Sequence, residues 1–256
     1  MAPTQRFSDR VDDYVRFRPS YPAPALDAIL EGLDAASIVV ADIGSGTGIM
    51  SRLLAARLSG TSRLIALEPN ADMADAHRLG APDARVEHVR TEHVAATGEA
   101  TGLPDASVHL IVCAQAFHWM RHEDALREFS RVLVPGGRVA IVWNLRDDAD
   151  PFTRHYGSLL RQASGDHPAE RAFTEHEHLR LSERFRAYRE IVVPSSQALD
   201  APSLLGRARS ASYCPKDGPA WEQLRAELLA AHARHADGQG LVRLAYRTSV
   251  HLAERV

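Results

Sequence analysis

Residues 38–48 read Ile38-Val39-Val40-Ala41-Asp42-Ile43-Gly44-Ser45-Gly46-Thr47-Gly48. An apolar, β-branched run ends in a glycine-rich turn. Met50, Leu53, Leu54 and Leu58 then recur at helical spacing. The stretch reads as a strand, a tight turn and a helix. Glycine at 44, 46 and 48 lets the backbone take positive φ and approach a ligand with no Cβ between them. The helix start behind the turn leaves N–H groups to receive a polar or anionic group. A dinucleotide fingerprint would run G-x-G-x-x-G. Here the glycines fall as G-x-G-x-G, with Asp42 two positions ahead.

The chain has 256 residues, enough for one α/β domain with additions, and we expect a single domain over 1–256. Within it, 1–33 is an N-terminal arm and helix, 34–145 the ligand-binding half, and 146–256 a substrate-side cap with the last strands. Formal net charge is −3, so nothing global recruits a nucleic-acid backbone. Lys216 is the only lysine, and nearly every basic residue is arginine, as a GC-rich coding bias produces. The two cysteines, Cys113 and Cys214, make no disulfide framework. No apolar signal segment or membrane-length run is present, so the expected setting is soluble and cytoplasmic.

Outward from the turn, 63–67 reads as a second strand ending at Glu68-Pro69-Asn70, with a helix through Leu79. Glu68 lies about twenty residues beyond the glycines, where an acid accepts ribose hydroxyls. Glu87-His88-Val89 recurs as Glu92-His93-Val94. One copy is the third strand, and strand alternation accounts for the histidines without a metal. The run 108–114 is a fourth strand, followed by Gln115-Ala116-Phe117-His118-Trp119 at its carboxyl end, where open α/β sheets bind ligands. A helix follows from 122 to 133, then Pro135-Gly136-Gly137 turns the chain into a fifth strand at 138–143. The later strands are expected at 188–193 and 248–253, with two helical patterns in 200–240 forming a cap. His176-Glu177-His178 reads as a solvated helix face.

Upstream, 1–24 interleaves arginines with aromatics, including Tyr14, Arg18 and Tyr21, among Pro19, Pro22 and Pro24. It is either an arm packed on the domain or a lid over a site. A short amphipathic helix follows at 25–33.

The G-x-G-x-G turn behind Asp42 resembles the first motif of class I S-adenosylmethionine-dependent methyltransferases. Gly98-Glu99-Ala100-Thr101-Gly102-Leu103-Pro104 resembles their adenine-binding loop, and the Pro-Gly-Gly turn is another shared feature. Tyr14-x-x-x-Arg18-Pro19-x-Tyr21-Pro22 and the Gln115–Trp119 stretch resemble the small-molecule group that includes trans-aconitate methyltransferase-like enzymes. The resemblance covers about residues 5–145. One departure is His109, where the family most often has aspartate.

The resemblance implies a Rossmann-like, doubly wound, mostly parallel seven-stranded sheet. It implies S-adenosyl-L-methionine as cofactor and S-adenosyl-L-homocysteine as product. The cofactor residues it implies are Tyr14, Arg18, Asp42, Gly44, Ser45, Gly46, Gly48, Glu68, Pro69, Met73, Glu99, Ala100, Gln115 and Ala116. The acceptor walls would come from Phe117, His118, Trp119, Asn144 and Tyr213, with the arm beside them. The partner is a small molecule, with neither nucleic acid nor membrane. Methyl transfer needs alignment and exclusion of water. His118 is the candidate base, titrating near neutrality, unless it packs on the cofactor or caps the next helix. A metal-dependent catechol mechanism would want an acid where Gln115 stands. A nucleic-acid amino-methylating enzyme would carry an acid-or-Asn, Pro, Pro, aromatic motif there. A nicotinamide oxidoreductase conflicts with the glycine spacing.

Overall fold

The computed structural model describes residues 15–79, 89, 91–165 and 175–256. In chain order the elements are α1 (Ala23–Leu30), β1 (Val39–Ile43), α2 (Ile49–Ala55), β2 (Arg63–Leu67), α3 (Ala71–Leu79), β3 (Thr91–Val94) and β4 (Val108–Ala114). A short 3₁₀ turn (Phe117–Trp119) precedes α4 (His122–Val132), β5 (Leu133–Arg146), α5 (Pro151–Ser164), α6 (His176–Leu181), β6 (Phe185–Leu199), α7 (Ala201–Arg209), α8 (Gly218–His235) and β7 (Val242–Arg255).

The seven strands form one sheet in the order β3-β2-β1-β4-β5-β7-β6. The pairs β1–β2, β1–β4, β2–β3 and β4–β5 are parallel, and β7 runs antiparallel between β5 and β6. Strand order reverses between β1 and β4, and ligands of open α/β sheets lie outside the strand ends at such a point.

Period-two alternation sorts the strand residues onto two faces. Val40, Leu64, Leu110 and Val142 bury against Leu26 and Ile29 of α1 and Leu54 of α2. Ile43, Ile65, Ile111 and Ile141 bury against Leu126 and Phe129 of α4 and Leu179 of α6. A third cluster forms the cap: Tyr156 and Leu160 of α5, Leu204 of α7 and Leu228 of α8 pack on Leu244 and Tyr246 of β7. β7 therefore serves all three clusters, with Val250 and Leu252 on one face of the sheet and Ala253 on the other. Asp150 and Asp200 cap α5 and α7 by accepting the N–H of Thr153 and Ser203 at 2.7 and 2.8 Å. Among the described residues no helix is long and apolar enough to cross a membrane.

Several expectations change. The fifth strand begins at Leu133, which pairs with Val108, and the register then shifts to Leu110–Arg138. Pro135-Gly136-Gly137 is thus an excursion within β5, not a turn ahead of it. β6 and β7 extend well beyond 188–193 and 248–253. The third strand is the Glu92-His93-Val94 copy; Glu87 and His88 lie outside the described residues. His178 is exposed as expected, but His176 is half-buried. His176 stacks on His251 at 4.2 Å between ring centroids, and His178 on His122 at 4.3 Å.

Candidate functional site

The turn after β1 is tied to the end of β2. Gly44 and Ser45 donate their N–H groups to the Leu67 carbonyl at 2.8 and 3.0 Å. Gly46 donates to Glu68 Oε2 at 2.8 Å, and Gly48 to the Ser45 carbonyl at 2.9 Å. These four N–H groups therefore face internal acceptors, and the expected free donors are those of the helix start behind them. Each glycine also has a steric reason. A Cβ on Gly44, where φ is +68°, would stand 2.5 Å from the Ala116 Cβ. A Cβ on Gly48, where φ is +81°, would overlap the His77 ring. Gly46 has more room, since its Cβ would come no closer than 3.4 Å to Met73 Cε, and its constraint is mainly its φ of +55°. Glycine 48 thus serves packing on His77, whose other neighbour is His93 at 4.5 Å. Burial holds the His77 imidazole down to about 4, so it sits neutral under the turn.

Glu68 lies partly buried at the β2 end. Its Oε1 accepts the Asn70 N–H at 2.9 Å and its Oε2 that of Gly46. Burial raises its pKa against the pull of these two bonds. A carboxylate has about four acceptor positions, so two remain for a ligand. Asp42 points the other way, toward α2. It is fully buried, accepts from Ser51 Oγ at 2.5 Å, and is pushed up to about 7 by desolvation.

A cavity of about 220 Å³ lies at the strand ends. Its walls include Gly44, Gly46, Glu68, Pro69, Met73, Glu99, Gln115, Ala116 and Trp119, all singled out by sequence. Asn70, Thr97, Gly98, Ala114 and Met120 complete it and were not foreseen. Asn70 had a signal: it precedes α3, and its Oδ1 accepts the Met73 N–H at 2.9 Å. Gly98 also had one, being a glycine beside Glu99; a Cβ there would lie 2.5 Å from Met120 Sδ. Glu99 accepts the Arg121 N–H at 2.9 Å, which fixes the loop against the start of α4. Gln115 holds a φ of +56°, a strained conformation for a side-chain-bearing residue, and its Nε2 donates to the Asn144 carbonyl at 3.0 Å.

Other expected residues stand elsewhere. Ala100 is exposed, and Asp42, Ser45, Gly48 and Ala100 do not line the cavity. Phe117 is no pocket wall; it is fully buried against Phe129 and His122. Tyr14 lies outside the described residues. Arg18 Nη2 donates to the Ser210 carbonyl at 2.8 Å. Asn144 bridges Ser20 and Thr248, accepting from Thr248 Oγ1 at 2.6 Å, and Tyr213 accepts from Arg146 at 3.2 Å. These residues form a polar layer between the arm and the cap.

His118 is partly buried beside this layer. The indole Nε1 of Trp143 approaches its Nδ1 at 3.5 Å. Desolvation, the Arg18 guanidinium and His122 hold its pKa down to about 4. It therefore does not titrate near neutrality, contrary to expectation.

Residues 41–141 match the family model described as a methyltransferase domain. An uncharacterized methyltransferase of Mycobacterium tuberculosis is 33% identical over 240 residues, covering 92% of this chain and 90% of that one. The chain belongs to the methyltransferase family. An uncharacterized methyltransferase-like protein of Schizosaccharomyces pombe is 34% identical over 165 residues, 64% of this chain and 60% of its own length. Solved structures share the fold of this methyltransferase. A methyltransferase structure from Anaeromyxobacter dehalogenans aligns at a TM-score of 0.61 and 24% identity, over 93% and 97% of the two chains. The YcgJ protein of Bacillus subtilis aligns at 0.58 and 21%, over 90% and 97%. The methyltransferase is thus a class I, S-adenosylmethionine-dependent enzyme by family, and the seven-stranded sheet is that of its structural neighbours.

Proposed function

We propose that this enzyme, acting as a single domain, methylates a small-molecule acceptor held between the arm and the cap. The observation that carries the reading is convergence: the Gly44–Gly46 turn, Glu68 and the Thr97–Glu99 loop meet on one cavity at the strand-order switch. The residues fit the cofactor. A glycine cradle gives close approach, Glu68 keeps acceptor positions for ribose hydroxyls, and Glu99 borders the loop where adenine would be read. S-adenosylmethionine supplies a methyl group already activated on its sulfonium. The chain's part is to hold the acceptor in line and keep water out, which can supply about 7–11 kcal/mol at best.

Trp119, His118, Asn144, Arg18 and Tyr213 are proposed as the acceptor side. The resemblance of 115–119 and of the arm to trans-aconitate methyltransferase-like enzymes supports a small, polar acceptor. A carboxylate acceptor carries no proton at neutral pH and needs no base. His118 suits a positioning role better than a base role. A base works best with a pKa near the operating pH, and about 4 is far below it.

The test is a screen of small carboxylates, phenols and amines with methyl-labelled S-adenosylmethionine, followed by locating the label. Labelled small-molecule product is expected; label found only on nucleic acid or protein would contradict the reading. With an active acceptor in hand, His118→Ala is expected to raise acceptor KM and lower kcat by less than about 10²-fold. Turnover of both proteins should be flat from pH 6 to 8, because a group titrating at about 4 is already neutral throughout. A limb near pH 6.5 that vanishes in His118→Ala would restore the base role.

A further inference from the structure

We propose that Arg207 and Tyr156 form an oxyanion subsite in the cap, which takes a carboxylate or phosphate group of the methyl acceptor. The proposal rests on the small-molecule reading above and adds the acceptor's charge to it.

Arg207 stands on α7 with 5% of its surface exposed. Its Nε donates to the Tyr246 hydroxyl at 3.1 Å and its Nη1 to Ser210 Oγ at 3.3 Å. Both acceptors are neutral. Among the described residues no carboxylate pairs with it, and the ionisable side chains that act on it are the phenols of Tyr246, Tyr156 and Tyr213. Buried charges are ordinarily paired, and a guanidinium carries five N–H donors in a fork that matches an oxyanion. This one is buried and positive, with no counter-charge among the described residues.

A second observation points to the same place. Tyr156, on α5, is 1% exposed, and its hydroxyl has no hydrogen-bond partner among the described residues. Buried hydroxyls are nearly always bonded, and two guanidiniums lie near enough to act on this phenol. Arg207 is one; Arg146, which lies over the Tyr156 ring at 5.8 Å from its centroid, is the other. Arg146 is already engaged, donating to the Tyr213 hydroxyl at 3.2 Å. The buried guanidinium with no carboxylate partner among the described residues is that of Arg207. An oxyanion between Arg207 and Tyr156 would supply the missing acceptor for the phenol and the missing counter-charge for the guanidinium at once.

The subsite joins the site already described. Arg146 and Tyr246 are register partners at the carboxyl end of β5. Ser210, which accepts from Arg207 through Oγ, also accepts from Arg18 through its carbonyl, and Arg18 acts on His118. An acceptor anchored here by one end would present its other end toward His118 and the cavity.

Tyr156→Phe deletes only the orphan hydroxyl, whereas Arg207→Gln removes the charge together with the bonds to Tyr246 and Ser210. Each full-length protein is titrated calorimetrically with S-adenosylhomocysteine, and separately with citrate, inorganic phosphate and glycerol. Wild type is expected to bind citrate or phosphate and not glycerol; which of the two binds more tightly assigns the group. Tyr156→Phe should weaken that anion about tenfold with an unchanged or higher melting temperature, since no bond is lost in the free protein. Arg207→Gln should abolish it, and S-adenosylhomocysteine affinity should stay the same in every variant. Failure of both anions to bind wild type, or equal anion affinity in wild type and Tyr156→Phe, overturns the subsite. Loss of S-adenosylhomocysteine binding in wild type would instead overturn the cofactor reading, and the anion titrations still stand on their own.

Discussion

Glu68→Ala is expected to weaken S-adenosylhomocysteine binding by about 10- to 150-fold, or about 1.5–3 kcal/mol, the loss of charged acceptors for two hydroxyls. The structure adds a second contribution. The same carboxylate accepts the N–H groups of Gly46 and Asn70, so its removal also loosens the glycine turn against β2. Glu68→Gln separates the two, because it keeps an acceptor but loses the charge. It should fall between wild type and alanine. Calorimetry measures the affinities, and circular dichroism confirms that both variants fold. Unchanged affinity in Glu68→Ala would reassign Glu68 to holding the turn.

Gly44→Ala is expected to destabilise the protein by about 2–4 kcal/mol. Roughly 1–2 of this comes from forcing a Cβ into left-handed backbone and the rest from overpacking. The clash is with the Cβ of Ala116, which is too short to rotate away, so the turn or the chain after β4 has to move. Both border the cavity, and cofactor affinity should fall with stability. Urea unfolding with an unchanged slope measures the loss. A loss under about 0.5 kcal/mol would show that the turn is softer than this packing implies.

The interior of the sheet was legible because its strands are buried on both faces. The runs 63–67 and 108–114 are near-continuous apolar stretches closed by Glu68-Pro69-Asn70 and by Gln115, and both strands match those bounds. Parallel strands of this kind announce themselves. β6 did not: residue by residue Phe185–Leu199 is mostly exposed or half-exposed, and Pro194-Ser195-Ser196 lies within it. A half-solvated edge strand carries little hydrophobic signal, and pairing with β7 defines it. The same holds for Pro135-Gly136-Gly137, which reads as a turn but is an excursion between two ladder segments.

In the site, the residues that motif spacing marks were legible: Gly44, Gly46, Glu68 and Glu99 meet on one cavity. Met120 and Thr97 were not, because they join it only through the packing of loops distant in sequence. Phe117 misled because an aromatic after β4 reads equally well as wall or core; full burial against α4 decides for core. The pKa of His118 depends on burial and on the distant Arg18, neither of which sequence spacing carries. The unpaired burial of Arg207 was hidden by the abundance of arginine in the chain.

The central claim is that the cavity between the glycine turn, Glu68 and the Thr97–Glu99 loop is an S-adenosylmethionine site. Calorimetric titration of the wild-type protein with S-adenosylhomocysteine and with NADH tests it most directly. Saturable binding of S-adenosylhomocysteine, with no heat from NADH, is the predicted result; binding of NADH with none of S-adenosylhomocysteine would contradict it.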